Sequence, residues 1–366
     1  NIQYPNNNII FQESYCPSAP NEQYHSPSII QINNIKILVW FAGNYEGHFN
    51  HIKMSYYTTT INQWSKPKII CHIHLHSIQN PVLYYHQSTN TLFLFASIFP
   101  SKKGQFNSQL IYQTTNLLDL ENINNLKWSS PKPLNNQLYG FLTKHKPIML
   151  NPNLIVLPIY HSNKNNKNDY SGLLRCNITN NTITSTTFTP IPNTRQLVQP
   201  CIVPIPPTNQ SNQESDIYYT FFRTRMKPKH PLTYMVAINN LTKYNNQSIS
   251  TPLINNNSGF DVIHLTEPKS TMLIIFNEGI KFQDRHRLSL AISYDLGKTI
   301  KNIINIEPSL TLSKNTSSTV TENTMWKDAE FSYPSITQNN NNQIVLSYTY
   351  NRETIKTISF DINQIT

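Results

Sequence analysis

The sequence has little glycine and few acidic residues, and both shortages restrict what the chain can be. Only 8 of its 366 residues are glycine, and charged residues make up 13%, about half the usual share. Because 11% of the residues are aromatic and so few are charged, the chain is neither collagen-like nor a charge-driven disordered polymer. No apolar run approaches the roughly 18 residues that a membrane-spanning helix needs, so we expect no membrane span.

The net charge of +10 reflects scarce acids more than abundant bases, with 19 acidic against 29 basic residues. The basic residues are scattered, with neither a basic stripe nor a recognisable nucleic-acid-binding module. This pattern argues against nucleic acid as a partner. A few well-placed arginines could still attract a small anionic ligand.

Cysteine is also rare, and its spacing argues against a metal site. The four cysteines are Cys16, Cys71, Cys176 and Cys201, and no two of them form a Cys-x-x-Cys pair. An even count permits two disulfides without indicating a pairing. His72, His74 and His76 alternate at strand spacing and could line one strand face, but an exposed strip is the commoner explanation. We therefore expect no metal and no cofactor.

Strand signals dominate what is present, and helical periodicity is nearly absent. Runs rich in β-branched and aromatic residues occur at 29–41, 91–99, 154–160, 217–222, 271–276 and 343–350. Clusters of Asn, Pro and Ser separate these runs. Asn tolerates left-handed backbone angles, so the 49 asparagines can form the turns that glycine usually forms.

A short pattern repeats along the chain: a polar residue, then Pro, then apolar residues that open a strand. It places Pro at positions 27, 81, 147, 200 and 334, at spacings of 54, 66, 53 and 134 residues. The last gap is twice the unit, and Asp261 with Val262 stands near its middle. Trp64 and Trp128, each followed by Ser-x-Pro, are 64 residues apart. Six units of about 60 residues predict a six-bladed β-propeller.

The innermost strands of a propeller crowd its central axis, so the residues before the repeated Pro should meet there. All six are polar: Ser26, Asn80, Lys146, Gln199, Asp261 and Tyr333. Polar residues that converge from every blade predict a ligand site at one end of the axis.

Several motifs resemble the sialidase superfamily, within it the BNR-repeat sialidase-like proteins. The segment Ser293-Tyr294-Asp295-Leu296-Gly297-Lys298-Thr299 is similar to an Asp box, a turn motif of the propeller rim, so Asp295 is expected to be structural. Segments 40–47, 257–261, 330–334 and 348–356 match the subgroup as well. The resemblance covers roughly residues 20 to 361. It implies an N-terminal leader at 1–20 and a single six-bladed domain at 21–366.

The resemblance implies site residues position by position. Sialidases bind the sugar carboxylate with three arginines, and here His25 replaces the first, in Tyr24-His25-Ser26-Pro27. The second falls on Arg223, with Arg225 nearby, and the third falls on Arg285 or Arg287. The nucleophilic tyrosine falls on Tyr333, its glutamate partner on Gln199, and the acid/base residue in the loop of Glu46.

Two of these positions depart from the family in ways that matter chemically. His25 cannot form the bidentate clamp of an arginine, and Gln199 cannot ionise to assist the phenol of Tyr333. Asp261 could supply the missing carboxylate. Lys146, Asn80 and Arg352 are further candidates for contacts with the substrate.

These residues leave three functions open. The first is an exo-acting glycoside hydrolase that removes a terminal acidic sugar, sialic acid or a related uronic or ulosonic acid. In it Glu46 is the general acid, and Tyr333 and Asp261 act at the anomeric centre. The second is a glycan-binding propeller that has lost catalysis, as Gln199 suggests. The third is a polysaccharide lyase that moves protons through His25 and Tyr333.

The expected partner is an acidic glycan, bound by a monomer. A secreted or endomembrane-lumen location is expected from the resemblance to glycan-active propellers. Seven Asn-x-Ser/Thr sequons are present at Asn177, Asn180, Asn209, Asn240, Asn246, Asn256 and Asn315. About nine would arise by chance in this composition, so their number is no evidence of glycosylation.

Overall fold

The computed structural model describes residues 9, 11–117, 120–206, 216–226, 229–265, 270–307, 329–339 and 342–365. Within these residues the chain forms six antiparallel sheets of four or five strands and four short 3-10 helices. The 3-10 helices are Gln87–Thr89, Gln105–Asn107, Leu120–Asn125 and Ile362–Gln364. In the described part of the chain, no helix has the length and apolarity to cross a membrane.

Each sheet is one blade, and its strands follow one another along the chain. After β1 (Gln12–Tyr15), blade 1 holds β2 (Gln23–Ile32), β3 (Ile35–Gly43), β4 (His51–Thr58), β5 (Gln63–Trp64) and β6 (Lys68–Cys71). Blade 2 holds β7 (His76–His86), β8 (Thr91–Pro100), β9 (Gln109–Asn116) and β10 (Lys132–Pro133). Blade 3 holds β11 (Phe141–Thr143), β12 (Ile148–Asn151), β13 (Leu154–His161), β14 (Tyr170–Thr179) and β15 (Thr182–Pro190).

The second half of the chain repeats this order. Blade 4 holds β16 (Leu197–Ile205), β17 (Ile217–Thr224), β18 (Pro231–Ile238), β19 (Lys243–Tyr244) and β20 (Ile249–Ile254). Blade 5 holds β21 (Asp261–His264), β22 (Met272–Asn277), β23 (Leu288–Ser293) and β24 (Asn302–Glu307). Blade 6 holds β25 (Phe331–Gln338), β26 (Gln343–Tyr350) and β27 (Thr354–Asp361). The prediction of a six-bladed, all-β propeller is confirmed.

The N-terminal strand completes the last blade. β1 pairs antiparallel with β27, with Gln12 opposite Ser359 and Tyr15 opposite Lys356. The outermost strand of blade 6 therefore comes from the segment that the sequence assigned to a leader. Residues 12–15 thus cover the outer edge of β27.

The hydrophobic core lies between consecutive blades. Blades 1 and 2 are packed together by side chains that include Val39, Ile52, Leu83 and Leu94, all buried. Blades 5 and 6 pack in the same way, through a separate cluster. Because each strand alternates its side chains between two faces, both faces of most blades carry apolar residues.

The repeated X-Pro pairs mark a backbone irregularity that four inner strands share. Ser26, Asn80, Gln199 and Tyr333 have φ angles of 52°, 50°, 50° and 53°, and the strand register shifts at each of them. Such β-bulges redirect a side chain, and a positive φ at a residue other than glycine costs about 1–2 kcal/mol. The repeat in the sequence is thus the repeat of a strained bulge beside the axis.

All inner strands run in the same direction, which gives the propeller two distinct faces. The upper face is the one where the inner strands begin. It also holds the loops between second and third strands, at 44–50, 101–108, 162–169, 225–226 with 229–230, 278–287 and 351–353. The Asp box lies on the lower face, where Asp295 accepts hydrogen bonds from the backbone and hydroxyl of Thr299. Its geometry is that of a turn stabiliser.

Candidate functional site

Tyr333 lies at the upper end of the axis among basic side chains. Its phenolic oxygen accepts a hydrogen bond of 3.0 Å from Nη1 of Arg223. The guanidinium carbon of Arg285 lies 5.3 Å from its ring centroid, and Nζ of Lys144 lies 5.5 Å away. The imidazole of His25 lies against the ring at a centroid distance of 4.3 Å. We call this group the upper level of the axis.

The positive charges around Tyr333 change its acidity. Burial acts to raise the pKa of the phenol, but Arg223 and Arg285 outweigh it and lower the pKa to about 8. Among the described residues, no carboxylate makes a hydrogen bond with the phenol. The arginines therefore perform part of the task that a neighbouring base would have, because they stabilise the phenolate.

Arg223 is held in place by the segment before β21. The arginine is buried, and its Nε donates a 2.8 Å hydrogen bond to Oδ1 of Asn257. Two residues later, Gly259 packs against Tyr333: a Cβ at this position would lie 3.4 Å from Cα and Cγ of the tyrosine. The 257–261 motif thus positions Arg223 through Asn257 and leaves room for Tyr333 at Gly259.

A chain of ion pairs forms the rim above Tyr333. Glu330 accepts from Nη1 of Arg285 at 3.1 Å and from Nε of Arg352 at 2.8 Å. Arg352 also donates to Glu46, at 2.7 Å. Although burial opposes it, bonding to Arg352 and Ser332 and the charge of Arg285 hold the pKa of Glu330 below its usual range. Glu330 is therefore an ionised link between two arginines, and Glu46 is the more exposed carboxylate.

Two buried polar side chains of the upper level lack hydrogen-bond partners among the described residues. Nδ1 of His25 lies 3.0 Å from Oγ1 of Thr349, but its Nε2 is unpaired. Burial and the nearby charges of Arg352 and Arg285 push the pKa of His25 well below its usual value, so this imidazole is neutral. Gln199, fully buried beside the phenol of Tyr160, has no hydrogen bond of standard geometry at Oε1 or Nε2 among the described residues. Such atoms are the ones that a polar ligand or a water molecule would bind.

Asp261 and Lys146 lie deeper along the axis, in what we call the lower level. The carboxylate of Asp261 accepts hydrogen bonds from the backbone N–H groups of Ile336 at 2.9 Å and Val262 at 3.0 Å. Nζ of Lys146 donates to the carbonyl of Ile336 at 3.3 Å. Ile336 follows Tyr333 by three residues, about 10 Å along a strand. Asp261 and Lys146 therefore bind the inner strand of blade 6 and do not reach the phenol.

Lys144 connects the two levels. It donates a 3.3 Å hydrogen bond to the carbonyl of Pro334 while its ammonium lies below the ring of Tyr333. Burial lowers the pKa of Lys144 and lowers that of Lys146 to about 8. Blade 3 provides both lysines because its inner strand is interrupted between β11 and β12, which leaves these residues unpaired in the sheet.

The lower level contains the one set of potential metal ligands found among the described residues. Donor atoms of His145, Cys201 and Asp261 lie within 4.8 Å of one another. The ring nitrogens of His145, however, lie 3.1 and 2.7 Å from the carbonyl oxygens of Pro200 and Phe260. These nitrogens and the Asp261 oxygens already have protein partners. The neighbouring lysines also make the place unfavourable for a cation.

The remaining candidates fall into different places. Arg225 forms a 3.3 Å ion pair with the buried carboxylate of Asp169, beside the upper level. Asn80 occupies the bulge of blade 2, on the inner strand. Arg287 is exposed and lines a separate cavity of about 400 Å³ between blades 4 and 5. Of the alternatives for the third arginine, the structure brings Arg285 to Tyr333.

Sequence reasoning missed three residues of this region: Lys144, Glu330 and Asp169. Glu330 stood within a recognised motif but was given no role. Asp169 and Lys144 lie outside any motif. Asp169 could have been found from its position, because it lies in a loop between the second and third strands of a blade. Loops of this kind also carry Glu46, Arg225, Arg285 and Arg352. Lys144 could not be found by aligning its position with the inner strands of the other blades, because the inner strand of blade 3 is interrupted there.

Comparison with known proteins agrees with this architecture. Residues 37–346 match the family model described as a BNR repeat-like domain. No curated protein matches the sequence. A Hadza microbial sialidase has a similar structure, with a TM-score of 0.71 at 11% identity, covering 94% of this chain and 66% of that one.

Two further structures share the fold over nearly their whole length. The intramolecular trans-sialidase from Ruminococcus gnavus gives a TM-score of 0.70 at 11% identity, covering 98% of this chain and 97% of that one. The alpha-L-arabinanase of Penicillium chrysogenum gives 0.62 at 10% identity, with coverage of 96% and 98%. At such identities the likeness shows the fold alone.

Proposed function

The family model covers most of the chain, which therefore belongs to the BNR repeat-like domain family, and we propose that it is an exo-acting glycoside hydrolase. Its substrate in this proposal is a glycan that ends in an acidic sugar, sialic acid or a related uronic or ulosonic acid. The single observation that carries the proposal is the contact of Arg223 with the phenol of Tyr333, with Arg285 and Lys144 nearby. Structural similarity to sialidases and an arabinanase supports the reaction class.

In the first step, the arginines bind the sugar carboxylate and the phenolate form of Tyr333 attacks the anomeric carbon. The bond to the leaving oxygen breaks as Glu46 donates a proton to it, and the sugar becomes attached to the phenolic oxygen. A tyrosine suits this place because its neutral phenol, which predominates at pH 7, does not repel the sugar carboxylate during binding as a permanently ionised carboxylate would. With a pKa of about 8, roughly a tenth of Tyr333 is ionised at pH 7.

In the second step, water attacks the anomeric carbon and the bond to Tyr333 breaks. Glu46, now ionised, accepts a proton from that water, and Tyr333 leaves as the phenolate. The sugar leaves with its original anomeric configuration because two displacements have occurred. In the proposal, Arg352 orients Glu46, to which it is bonded at 2.7 Å.

A second candidate, a lyase acting on uronic acids, is favoured by one specific observation. The neutral His25, with its unpaired Nε2, lies against Tyr333. In an elimination His25 would take the proton next to the sugar carboxylate, and Tyr333 would donate a proton to the leaving oxygen. A carbon–carbon double bond would then form in the sugar.

One experiment separates these functions. The purified protein is incubated with a panel of soluble acidic oligosaccharides, and both the released sugar and the ultraviolet absorbance are followed. Release of a saturated acidic sugar supports the hydrolase, and new ultraviolet absorbance from the double bond supports the lyase. Binding without either product would contradict both and favour a glycan-binding propeller.

A further inference from the structure

The upper face carries an unusual concentration of exposed apolar side chains. Thirteen large hydrophobic residues are exposed in the described chain, and seven of them lie in upper-face segments. These seven are Tyr45, Phe49, Leu75, Phe106, Tyr139, Ile280 and Phe282. Single exposed apolar residues are ordinary on a protein surface, but a concentration of them on one face indicates a binding surface.

The chemistry of these tips identifies the kind of surface. Leu75 and Ile280 are aliphatic, and they are 59% and 61% exposed. The other five tips are aromatic. Aliphatic and aromatic tips together are typical of segments that enter the head-group region of a bilayer.

Exposed basic side chains accompany the apolar ones in the same loops. The exposed bases of the upper-face loops are Lys102, Lys103, Lys164, Lys167, Lys229, Lys281 and Arg287. The exposed acids described in those loops are Glu46 and Glu353, and Glu46 is paired with Arg352. The lower-face segments also carry exposed bases, Lys127, Lys243, Lys298 and Lys301, but with few exposed apolar side chains beside them. The upper face is therefore complementary to a negative surface.

The two kinds of residue are interleaved at the loop tips. Lys281 stands between Ile280 and Phe282, and all three are exposed. On blades 1 and 2, Nζ of Lys102 lies 5.7 Å from the ring centroid of Phe49. Such neighbours let an apolar group enter the lipid while the ammonium remains at the phosphate level.

We propose that the upper face docks onto a lipid bilayer rich in anionic lipids, with the tips around Ile280 and Leu75 inserted between head groups. Each basic residue near such a surface contributes about 1 kcal/mol, and each inserted apolar side chain adds a comparable amount. Docking in this orientation brings the upper level of the axis to the membrane. The inserted tips are none of the residues that contact Tyr333, so the inference does not depend on the proposed function.

Sedimentation with glycan-free vesicles tests the proposal. Vesicles of phosphatidylcholine alone are compared with vesicles that contain roughly a third phosphatidylserine, at low salt. We expect the protein to pellet with the anionic vesicles, and less so as salt is raised. The double change Ile280→Ser with Phe282→Ser should weaken the partition roughly tenfold or more, and Lys281→Gln should weaken it about fivefold.

The matched control changes Ile61→Ser and Ile249→Ser, exposed residues of a lower-face turn and of the outermost strand of blade 4. This variant should partition like the unmodified protein, and all variants should keep the same melting temperature. Equal loss in the control, or no pelleting of the unmodified protein, would overturn the proposal. If the upper-face variants kept their vesicle binding but lost binding to a soluble acidic polysaccharide, the proposal would also be overturned, in favour of a polysaccharide-binding surface. Because the vesicles carry no sugar, these outcomes are independent of tests on soluble glycans.

Discussion

The upper and lower levels of the axis are both lined by buried polar residues, but their hydrogen bonding is different. In the lower level, Asp261 and Lys146 bond to the backbone of Ile336. In the upper level, Nε2 of His25 and both polar atoms of Gln199 have no partner among the described residues. Burial alone does not identify a functional residue. At the axis, the groups whose bonds are complete support the fold, and those whose bonds are incomplete are the ones that a ligand could bind.

The largest effect should come from the lower level. Asp261→Ala would leave the N–H of Ile336 unpaired and two buried lysines without their counter-charge, so unfolding should need about 3 kcal/mol less free energy. Urea denaturation measures this loss. Glu46→Ala is the control, since its exposed ion pair contributes less than about 1 kcal/mol. Lost glycan binding with unchanged stability would move Asp261 into the site.

Tyr333→Phe tests the upper level, where we expect a loss of activity without a loss of stability. It removes one hydroxyl and keeps the ring between His25 and Arg285, so the packing survives. Turnover should fall by at least about 100-fold while the dissociation constant for an acidic glycan changes little. Rates of sugar release and direct binding are measured on the same ligand. A variant that turns over at the normal rate would exclude Tyr333 from the mechanism.

Arg223→Ala tests whether the upper level recognises charge. The change should weaken binding of an acidic sugar by about ten- to a hundredfold, because a charge-assisted hydrogen bond contributes about 1.5–3 kcal/mol. The neutral amide of the same sugar should lose much less. Titration calorimetry with both ligands measures the difference. Equal losses would show that Arg223 acts only on the fold, as Asp261 is expected to.

The smallest effect should appear as a pH dependence. Above the Tyr333 pKa of about 8, the phenolate competes with a ligand carboxylate for the same arginines, so affinity should fall by up to tenfold per pH unit. Bound ligand should correspondingly raise that pKa. Binding of an acidic ligand is measured from pH 6 to 10, and Tyr333→Phe should flatten the curve. A fall that persists in this variant would point to another group.

The sequence predicted the blades well because each X-Pro pair coincides with a physical feature, the bulge of an inner strand. It predicted the residues Tyr333, Arg223 and Arg285 through their motifs. The sequence did not predict how far along the propeller axis each side chain lies. Lys146 and Asp261 share the register of Tyr333, but the inner strand of blade 3 is broken and that of blade 5 begins at Asp261 without a bulge. Their side chains therefore point to the lower level.

Strand boundaries show a similar limit. Residues 29–41 were read as one strand, but they form the hairpin of β2 and β3, with its turn at Asn33 and Asn34. Asn33 has a φ of 51°. Asparagine takes this backbone conformation readily, yet in a sequence with 49 asparagines the signal of one turn is hidden among many.

The pairing of β1 with β27 has a consequence for synthesis on the ribosome. The strand that completes blade 6 is made before every other strand of the propeller, and its three partner strands are made after all the others. The ring therefore cannot close until the far end of the chain has emerged. Until then β1 has no edge to join, and blade 1 has no sixth blade to pack against. Long-range pairings of this kind fold slowly, so the nascent chain carries an open propeller with two exposed edges throughout its elongation.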